Sequence, residues 1–253
     1  MKNNTRFLPT VNGPLHLGHL YTILVNRAEA QRSGGTFSWV FDNSQPEWND
    51  TLGADKVAEY AGGMLDDLDW LGIKPDVIHY TSQLLPGVHN AIENRFHYHI
   101  DEIMAYRGPA EVVGVNYPAY PYTEKLTVEK VVIDFSLGIN WLIRGHELMT
   151  EDDLYRHYCH IFHLPMPRTS YIPRLGCDGE TVSKTHGKYQ IHEFREAGMS
   201  AHNLIVMLAH DVLVHPELGW IVEYDEDGET KDNIKHNPAI GAWADEVLHA
   251  VPA

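Results

Sequence analysis

Short apolar runs alternate along the chain with longer amphipathic ones. Arg6-Phe7-Leu8 is a brief apolar stretch closed by Pro9, and Leu20, Ile23, Leu24 and Arg27 then follow at three-to-four spacing. This reads as a strand, a tight turn and a helix start. The same rhythm continues downstream. Apolar runs predict strands near 6–9, 36–41, 77–80, 131–135 and 169–172. Helical spacing predicts helices near 18–32, 53–71, 83–107, 147–163 and 200–214. Strands alternating with helices imply an α/β fold on a doubly wound parallel sheet. Gly108-Pro109, Pro118 and Pro121 mark residues 108–128 as irregular, within a short insertion over about 84–128. The predicted organisation is one α/β domain over 1–187, then a helical appendix and tail over 188–253.

Composition bounds what such a domain can be. The 253 residues suffice for a sizeable core and one or two domains. Hydrophobic content of 43% with mean hydropathy −0.30 fits a soluble globular protein. No apolar run approaches the ~18 residues of a membrane span. The polar start Met1-Lys2-Asn3-Asn4-Thr5 does not resemble a signal peptide. Cys159 and Cys177 are the only cysteines, so a reduced, cytoplasmic protein is the simpler expectation than a disulfide between them. The formal net charge is −16, from 35 acids and 19 bases, and no Lys/Arg cluster forms a basic stripe of the kind nucleic-acid binders carry. Glu223-Tyr224-Asp225-Glu226-Asp227-Gly228-Glu229 reads as a solvated turn. In His157-x-Cys159-His160-x-x-His163, residues three apart share a helix face, but residues six apart close no good site, so no protein-held metal is expected.

Two loops carry candidate chemistry. The first is Gly13-Pro14-Leu15-His16-Leu17-Gly18-His19-Leu20, between the first strand and first helix. A helix N-terminus presents free N–H groups and the positive end of the helix dipole, which favour phosphate. Gly18 lets a nucleotide approach the backbone, and His16 and His19 can donate hydrogen bonds to phosphate oxygens as charge shifts. The second is Val182-Ser183-Lys184-Thr185, on a polar loop between Asp178-Gly179 and Gly187. A lysine there can follow charge onto a leaving pyrophosphate, with Ser183 orienting phosphate. Together the loops point to ATP. The strand Trp39-Val40-Phe41 ends at Asp42, on the carboxyl edge where open α/β sheets place ligands.

The sequence also resembles a family. Arg6-Phe7-Leu8-Pro9-Thr10-Val11-Asn12-Gly13-Pro14-Leu15-His16-Leu17-Gly18-His19 is similar to the opening of the glutamyl- and glutaminyl-tRNA synthetases, class I enzymes of the HxGH type. Asn26, Gly34-Gly35-x-Phe37, Asp42 and Leu68-Asp69-Trp70-Leu71-Gly72 continue the match. Val131-Val132-Ile133-Asp134, Leu137-Gly138-Ile139 and Ile143-Arg144-Gly145 follow in order. Asp178-Gly179-Glu180-Thr181-Val182-Ser183-Lys184-Thr185-His186-Gly187 resembles the family's second signature. The resemblance implies a Rossmann-like catalytic core that uses ATP and Mg²⁺, the metal held mainly by the nucleotide's phosphates. It implies His16, His19 and Lys184 as catalytic residues, with Pro9, Gly18 and Ser183 joining them around ATP. It implies Arg6, Thr10, Asp42 and Arg144 around an amino acid, Asp42 holding its ammonium group. Arg144 has an alternative reading as an ion pair with Glu147. Two arginines and one acid suit an acidic, glutamate-like substrate.

Departures matter. Leu126 stands where the family has a Tyr, and Lys130 where it has an Asn, although Lys130 adds attraction for an anion. The family's Arg-Ile-Glu-Asp becomes Val40-Phe41-Asp42-Asn43. The insertion is about half the family's, and the resemblance calls for an anticodon-binding region that this chain leaves no room for. With the acidic charge, these features slightly favour transfer of the activated amino acid to a small amine. Aminoacylation of tRNA, or glutamylation of a tRNA base, is the alternative. A non-catalytic nucleotide binder is a third reading, against which His16, His19 and Lys184 argue.

Overall fold

The computed structural model describes residues 2–44, 52–97, 121–172, 176–177, 180–181, 189–214, 220–223 and 235–236. Strand β1 (Thr5–Phe7) leads into helix α1 (Leu17–Ser33), then β2 (Phe37–Phe41), α2 (Ala54–Trp70), β3 (Val77–Tyr80) and α3 (Thr81–Arg95). After the insertion come α4 (Pro121–Ser136), β4 (Trp141–Gly145), a 3₁₀ turn (His146–Glu151), α5 (Asp152–Ile161) and β5 (Arg168–Ile172). The pair β6 (Gly176–Cys177) and β7 (Glu180–Thr181) precedes α6 (Ile191–Glu196), α7 (Ala201–Val214), β8 (Trp220–Glu223) and β9 (Lys235–His236).

β1, β2 and β3 form a parallel sheet in that order. β4 and β5 are also parallel, and β8 and β9 extend them antiparallel. The two sheets meet where β4 lies beside β1. Asn140 and Trp141 both donate backbone N–H groups to Asn4 O, at 3.1 and 3.2 Å, and Asn4 N donates to Asn140 Oδ1 at 2.8 Å. The spatial order is therefore β3-β2-β1-β4-β5, reversing direction between β1 and β4. In such sheets the crevice at the carboxyl ends of those two strands is where ligands bind.

β2 is buried along its whole length, as expected of a parallel strand covered on both faces. Its Phe37, Trp39 and Phe41 join Leu20, Leu24 and Met64 of the flanking helices in one apolar cluster. Ile191, Leu204 and Leu208, from α6 and α7, belong to that same cluster. Asn26 ties α1 to both strands at the switch: its O accepts from Thr5 Oγ1 at 2.8 Å, and its Nδ2 donates to Ile143 O at 2.9 Å. The turn from α1 to β2 needs two glycines for different reasons. Gly34 caps the helix at φ 67°, a left-handed conformation, while a Cβ on Gly35 would collide with the backbone of Asn3.

The structure corrects several expected elements. Residues 131–135 are not a strand but the last turns of α4. Val128, Val131, Val132 and Ile133 are all buried, because α4 packs among α3, α5 and β4 in a second apolar cluster with Val88, Ile92, Leu142 and Tyr158. Burial on nearly all sides removed the helical rhythm, and the β-branched residues then mimic a strand. The true strand is β4, ten residues later. The irregular stretch expected over 108–128 is helical from Pro121, which suits a first helical turn because no N–H is needed there. The expected helix 83–107 ends at Arg95, followed by His97 at φ 56°, and residues 98–107 lie outside the described residues. The expected helix 147–163 is a 3₁₀ turn followed by α5. Most of the acidic run after Glu223 also lies outside them.

A candidate nucleotide and amino-acid site

α1 begins at the carboxyl end of β1, facing the switch between β1 and β4. His16 is its N-cap, in extended conformation, and the two histidines form a reciprocal cap. His16 Nδ1 accepts from Gly18 N at 3.1 Å, and His19 Nδ1 accepts from His16 N at 3.2 Å. A ring nitrogen that accepts an N–H carries no proton, so each neutral ring carries its proton on Nε2. Both imidazoles therefore keep a donor on the edge away from the backbone. The rings stack, with centroids 3.7 Å apart. The first turn of α1 holds no acidic residue to compete with an anion. Gly18 is tight against this pair, since a Cβ would stand 3.0 Å from His16 Cε1.

The neighbouring loop is fastened to β2. Asp42 N donates to Pro9 O at 3.0 Å, Val11 N donates to Asp42 O at 3.2 Å, and Thr10 and Asp42 form a parallel bridge. Pro9, Thr10 and Asp42 thus stand together, with Asp42 buried. On the other side of His16, residues 189–191 run antiparallel to it. Leu17 N donates to Tyr189 O at 3.1 Å, and Ile191 N donates to Leu15 O at 2.9 Å. The backbone immediately after the second signature is therefore laid directly on the first. Ser183 and Lys184 themselves lie outside the described residues.

The cations expected to hold the amino acid are each tied to an acid. Arg6 grips Asp134 with two nitrogens, Nε at 2.7 Å and Nη2 at 2.8 Å. Tyr155 Oη donates to the same carboxylate at 3.0 Å. Burial works against the Arg6 charge, but Asp134 more than compensates and the guanidinium is held more firmly protonated than usual. This fork leaves Nη1 as the remaining nitrogen of Arg6. Arg144 donates from Nη2 to Asp152 Oδ1 at 2.6 Å and to Tyr171 Oη at 3.3 Å. Its buried Nε finds no partner among the described residues. Against burial, Tyr171 and Asp152 keep it charged. Its ion-pair partner is thus Asp152, while the Glu147 side chain lies outside the described residues. Arg156 holds the other oxygen of Asp152 at 2.8 Å. Lys130 lies 3.6 Å from Glu151.

Tyr155 joins the two arginines. It binds Asp134, and the Arg144 guanidinium sits 5.6 Å from its ring centroid. Burial, reinforced by Asp134, raises its phenol well above the ordinary value, so it remains a donor. Sequence reasoning missed Asp134, Tyr155, Asp152 and Tyr171 as parts of this constellation. The Asp152–Arg156 pair at i,i+4 was a legible signal. The partners of Arg6 and Arg144 come from elements distant in the chain and carried none.

Two other features separate from this site. Among the described residues, no group of three His, Cys, Asp or Glu could hold a metal ion. Cys159 is a buried free thiol, pushed up to about 12 by burial. A cavity of about 160 Å³ lies at the amino end of β4, lined by Gly138, Asn140, Tyr155 and Cys159 among others. Of the polar constellation it shares only Tyr155, and none of His16, His19, Arg6 or Arg144 lines it. No described helix is long and apolar enough to cross a membrane.

The chain resembles known proteins in sequence and in fold. Residues 2–108 match the family model described as tRNA synthetases class I (E and Q), catalytic domain. A glutamate–tRNA ligase 2 from Xanthobacter autotrophicus is 34% identical over 125 residues, 49% of this chain and 22% of that protein. A glutamine–tRNA ligase from Rhodopirellula baltica is 32% identical over 133 residues, 49% of this chain and 21% of that one. The matched part thus spans about a fifth of those relatives' length. In fold, a glutamate-tRNA synthetase from Elizabethkingia anophelis superposes with TM-score 0.62 at 16% identity, covering 95% of this chain and 65% of that one. A tyrosyl-tRNA synthetase from Archaeoglobus fulgidus, solved with L-tyrosine, gives TM-score 0.58 at 17% identity over 98% of this chain and 83% of that one. The second half of the chain is supported by fold rather than by the family model, which ends before Lys130, Arg144 and Lys184. Over residues 2–108 this chain is similar in sequence to the class I glutamyl- and glutaminyl-tRNA synthetases, and across most of its length it shares the fold of a glutamate-tRNA synthetase.

Proposed function

We propose that this chain activates a glutamate-like amino acid with ATP. The amino-acid carboxylate attacks the α-phosphorus, the bond from that phosphorus to the bridging oxygen breaks, and an aminoacyl-adenylate and pyrophosphate result. The nucleophile is already ionised, so positioning and charge stabilisation carry the reaction. The observation that carries this reading is the histidine pair at the head of α1. The two rings cap the helix reciprocally and stack 3.7 Å apart, on a helix N-terminus without acids, at the sheet's switch point. His16 and His19 stabilise phosphate charge, Pro9 and Gly18 border the nucleotide, and Ser183 and Lys184 meet the leaving pyrophosphate. Mg²⁺ enters on the phosphates of ATP. Arg6, Thr10, Asp42, Lys130 and Arg144 surround the amino acid. Arg6 Nη1 is the nitrogen its fork leaves for a carboxylate, a charged hydrogen bond worth roughly 1.5–3 kcal/mol.

For the acceptor, the relatives favour tRNA over the small amine that the charge and short insertion suggested. They are named as ligases of glutamate or glutamine to tRNA, and nothing in the site points to a small amine. The net charge of −16 describes the whole chain and leaves room for a local basic groove. Pyrophosphate exchange scanned across amino acids, with and without bulk tRNA, tests both parts. Glutamate or glutamine should drive exchange, and labelled amino acid should pass to tRNA. Exchange driven best by a neutral aliphatic amino acid would break the pocket assignment. Lys184→Ala should slow exchange at least ten-fold, about 1.4 kcal/mol, with a smaller loss of ATP affinity. Unchanged turnover would remove Lys184 from the mechanism.

A further inference from the structure

Asp67 lies on α2, away from every residue assigned above. It is 2% exposed, and its Oδ1 accepts no hydrogen bond among the described residues. Its charge partner is Arg195 of α6, with Nη1 at 3.7 Å. We propose that Asp67 is a positioning residue: through Arg195 it holds α6, and with it residues 189–191, against the Leu15–Leu17 backbone that sets His16 at the head of α1. This rests on the reading of His16 and His19 as phosphate-handling groups.

Three observations lead there. First, α6 does not need a buried charge for packing, since Ile191 and Phe194 already anchor it in the apolar cluster. An acid with an unsatisfied oxygen in such a place is costly, and an amide or apolar side chain would serve packing better. Second, the charge is kept under pressure. Burial raises the Asp67 carboxyl to about 6, opposed by Arg195 and His192 of α6 and aided by Asp66 on its own helix. Positions where stability is given up without a packing gain are where function is expected. Third, the start of α6 is continuous with the site. Tyr189, at φ 65°, a left-handed conformation unfavourable for a tyrosine, is followed by Gln190 bridging His16 and by Ile191 bonded to Leu15. A residue held in that conformation persists where its surroundings fix it. The backbone pair holds the chain that follows Tyr189, and one helical turn further on the Asp67–Arg195 pair holds it again.

Asp67→Asn keeps the shape and removes the charge, and Arg195→Gln removes the partner from a half-exposed position. Amide hydrogen exchange of Leu17 and Ile191 reads the latch directly. In both variants these two amides should exchange at least ten-fold faster at pH 7.5, while the melting temperature of Asp67→Asn holds or rises. The double variant should be no faster than either single one, since both remove one interaction. In the wild type, corrected for intrinsic exchange chemistry, protection of the two amides should weaken as pH falls from 7 to 5, and Asp67→Asn should show no such dependence. Wild-type protection of Leu17 and Ile191 in both variants overturns the proposal, as does a fall in melting temperature with faster exchange throughout the fold. Absence of pyrophosphate exchange in the wild type would instead overturn the proposed function, leaving the hydrogen-exchange comparison intact.

Discussion

The two sides of the switch are built on opposite principles. On the β1–β2 side, the site is made of backbone. His16 and His19 spend one ring nitrogen each on capping α1, and Pro9 and Val11 are bonded to Asp42. Between β1 and β4, the site is made of charges that neutralise one another: Arg6 of β1 with Asp134 and Tyr155, and Arg144 of β4 with Asp152, Tyr171 and Arg156. The proposed function puts a highly charged ligand, ATP, on the first side. The second is rigid, offering what a held fork leaves over. A small ligand is recognised better by groups already fixed in place, because less freedom is lost on binding.

Predictions can break or sharpen this contrast. The largest effect belongs to the closed side. Asp134→Ala leaves the Arg6 guanidinium buried without its partner, and breaking a buried pair in this way costs about 3–5 kcal/mol. Urea unfolding measures it, and a loss below about 1 kcal/mol would mean that the Arg6 pair is not what fixes this side. Next comes the open side. His16→Ala removes a helix cap, worth about 1 kcal/mol of stability. It should cost pyrophosphate exchange at least ten-fold, so activity falls well beyond the modest change in the urea midpoint. Activity that merely tracks stability would make His16 a cap alone. Tyr155→Phe tests the link between the sides. One hydrogen bond to Asp134 disappears, about 1.5–3 kcal/mol for a bond to a charged group, and the KM for the amino acid should rise more than that for ATP.

The smallest effect has the opposite sign. Asp67 is raised from 3.8 to about 6 in the folded protein, so folding favours its protonated form. Its contribution to stability is complete below about pH 4 and lost as pH rises through about 6. Two pKa units set a ceiling near 3 kcal/mol, and screening by nearby water reduces this to about 1 kcal/mol. Asp67→Asn should therefore be more stable than the wild type at pH 7.5 by about that amount, with the advantage shrinking towards pH 4. Melting temperatures across that range check it, and an advantage that grows in acid would reverse the assignment of burial as the cause.

Much of the open side was legible in the sequence, because its parts are local. His16 and His19 are three positions apart, and a strand, turn and helix start lie within about thirty residues, so short-range patterning carries them. The closed side was read less well. Asp134 sits in Val131-Val132-Ile133-Asp134, a run whose β-branched residues read as a strand, and α4 became visible only when its neighbours on every face were known. The alternative of a structural ion pair for Arg144 named this kind of interaction, and among the described residues its partner is Asp152, five positions beyond Glu147.

The sequence by itself determined that the chain alternates strands and helices, and that a glycine-flanked histidine pair opens the first helix. It also carried, in order, the motifs by which the chain resembles one family. These depend on local backbone preference and on spacing within one element, which the order of residues encodes directly. Only the tertiary structure decided that residues 189–191 lie on the histidine turn, and that Arg6 and Arg144 are held by acids and share Tyr155. The same holds for the buried charge of Asp67 facing a helix that begins more than a hundred residues later. Such pairings depend on which elements come to adjoin and on the burial that follows, and burial is what sets whether a charge is costly, neutralised or free to act.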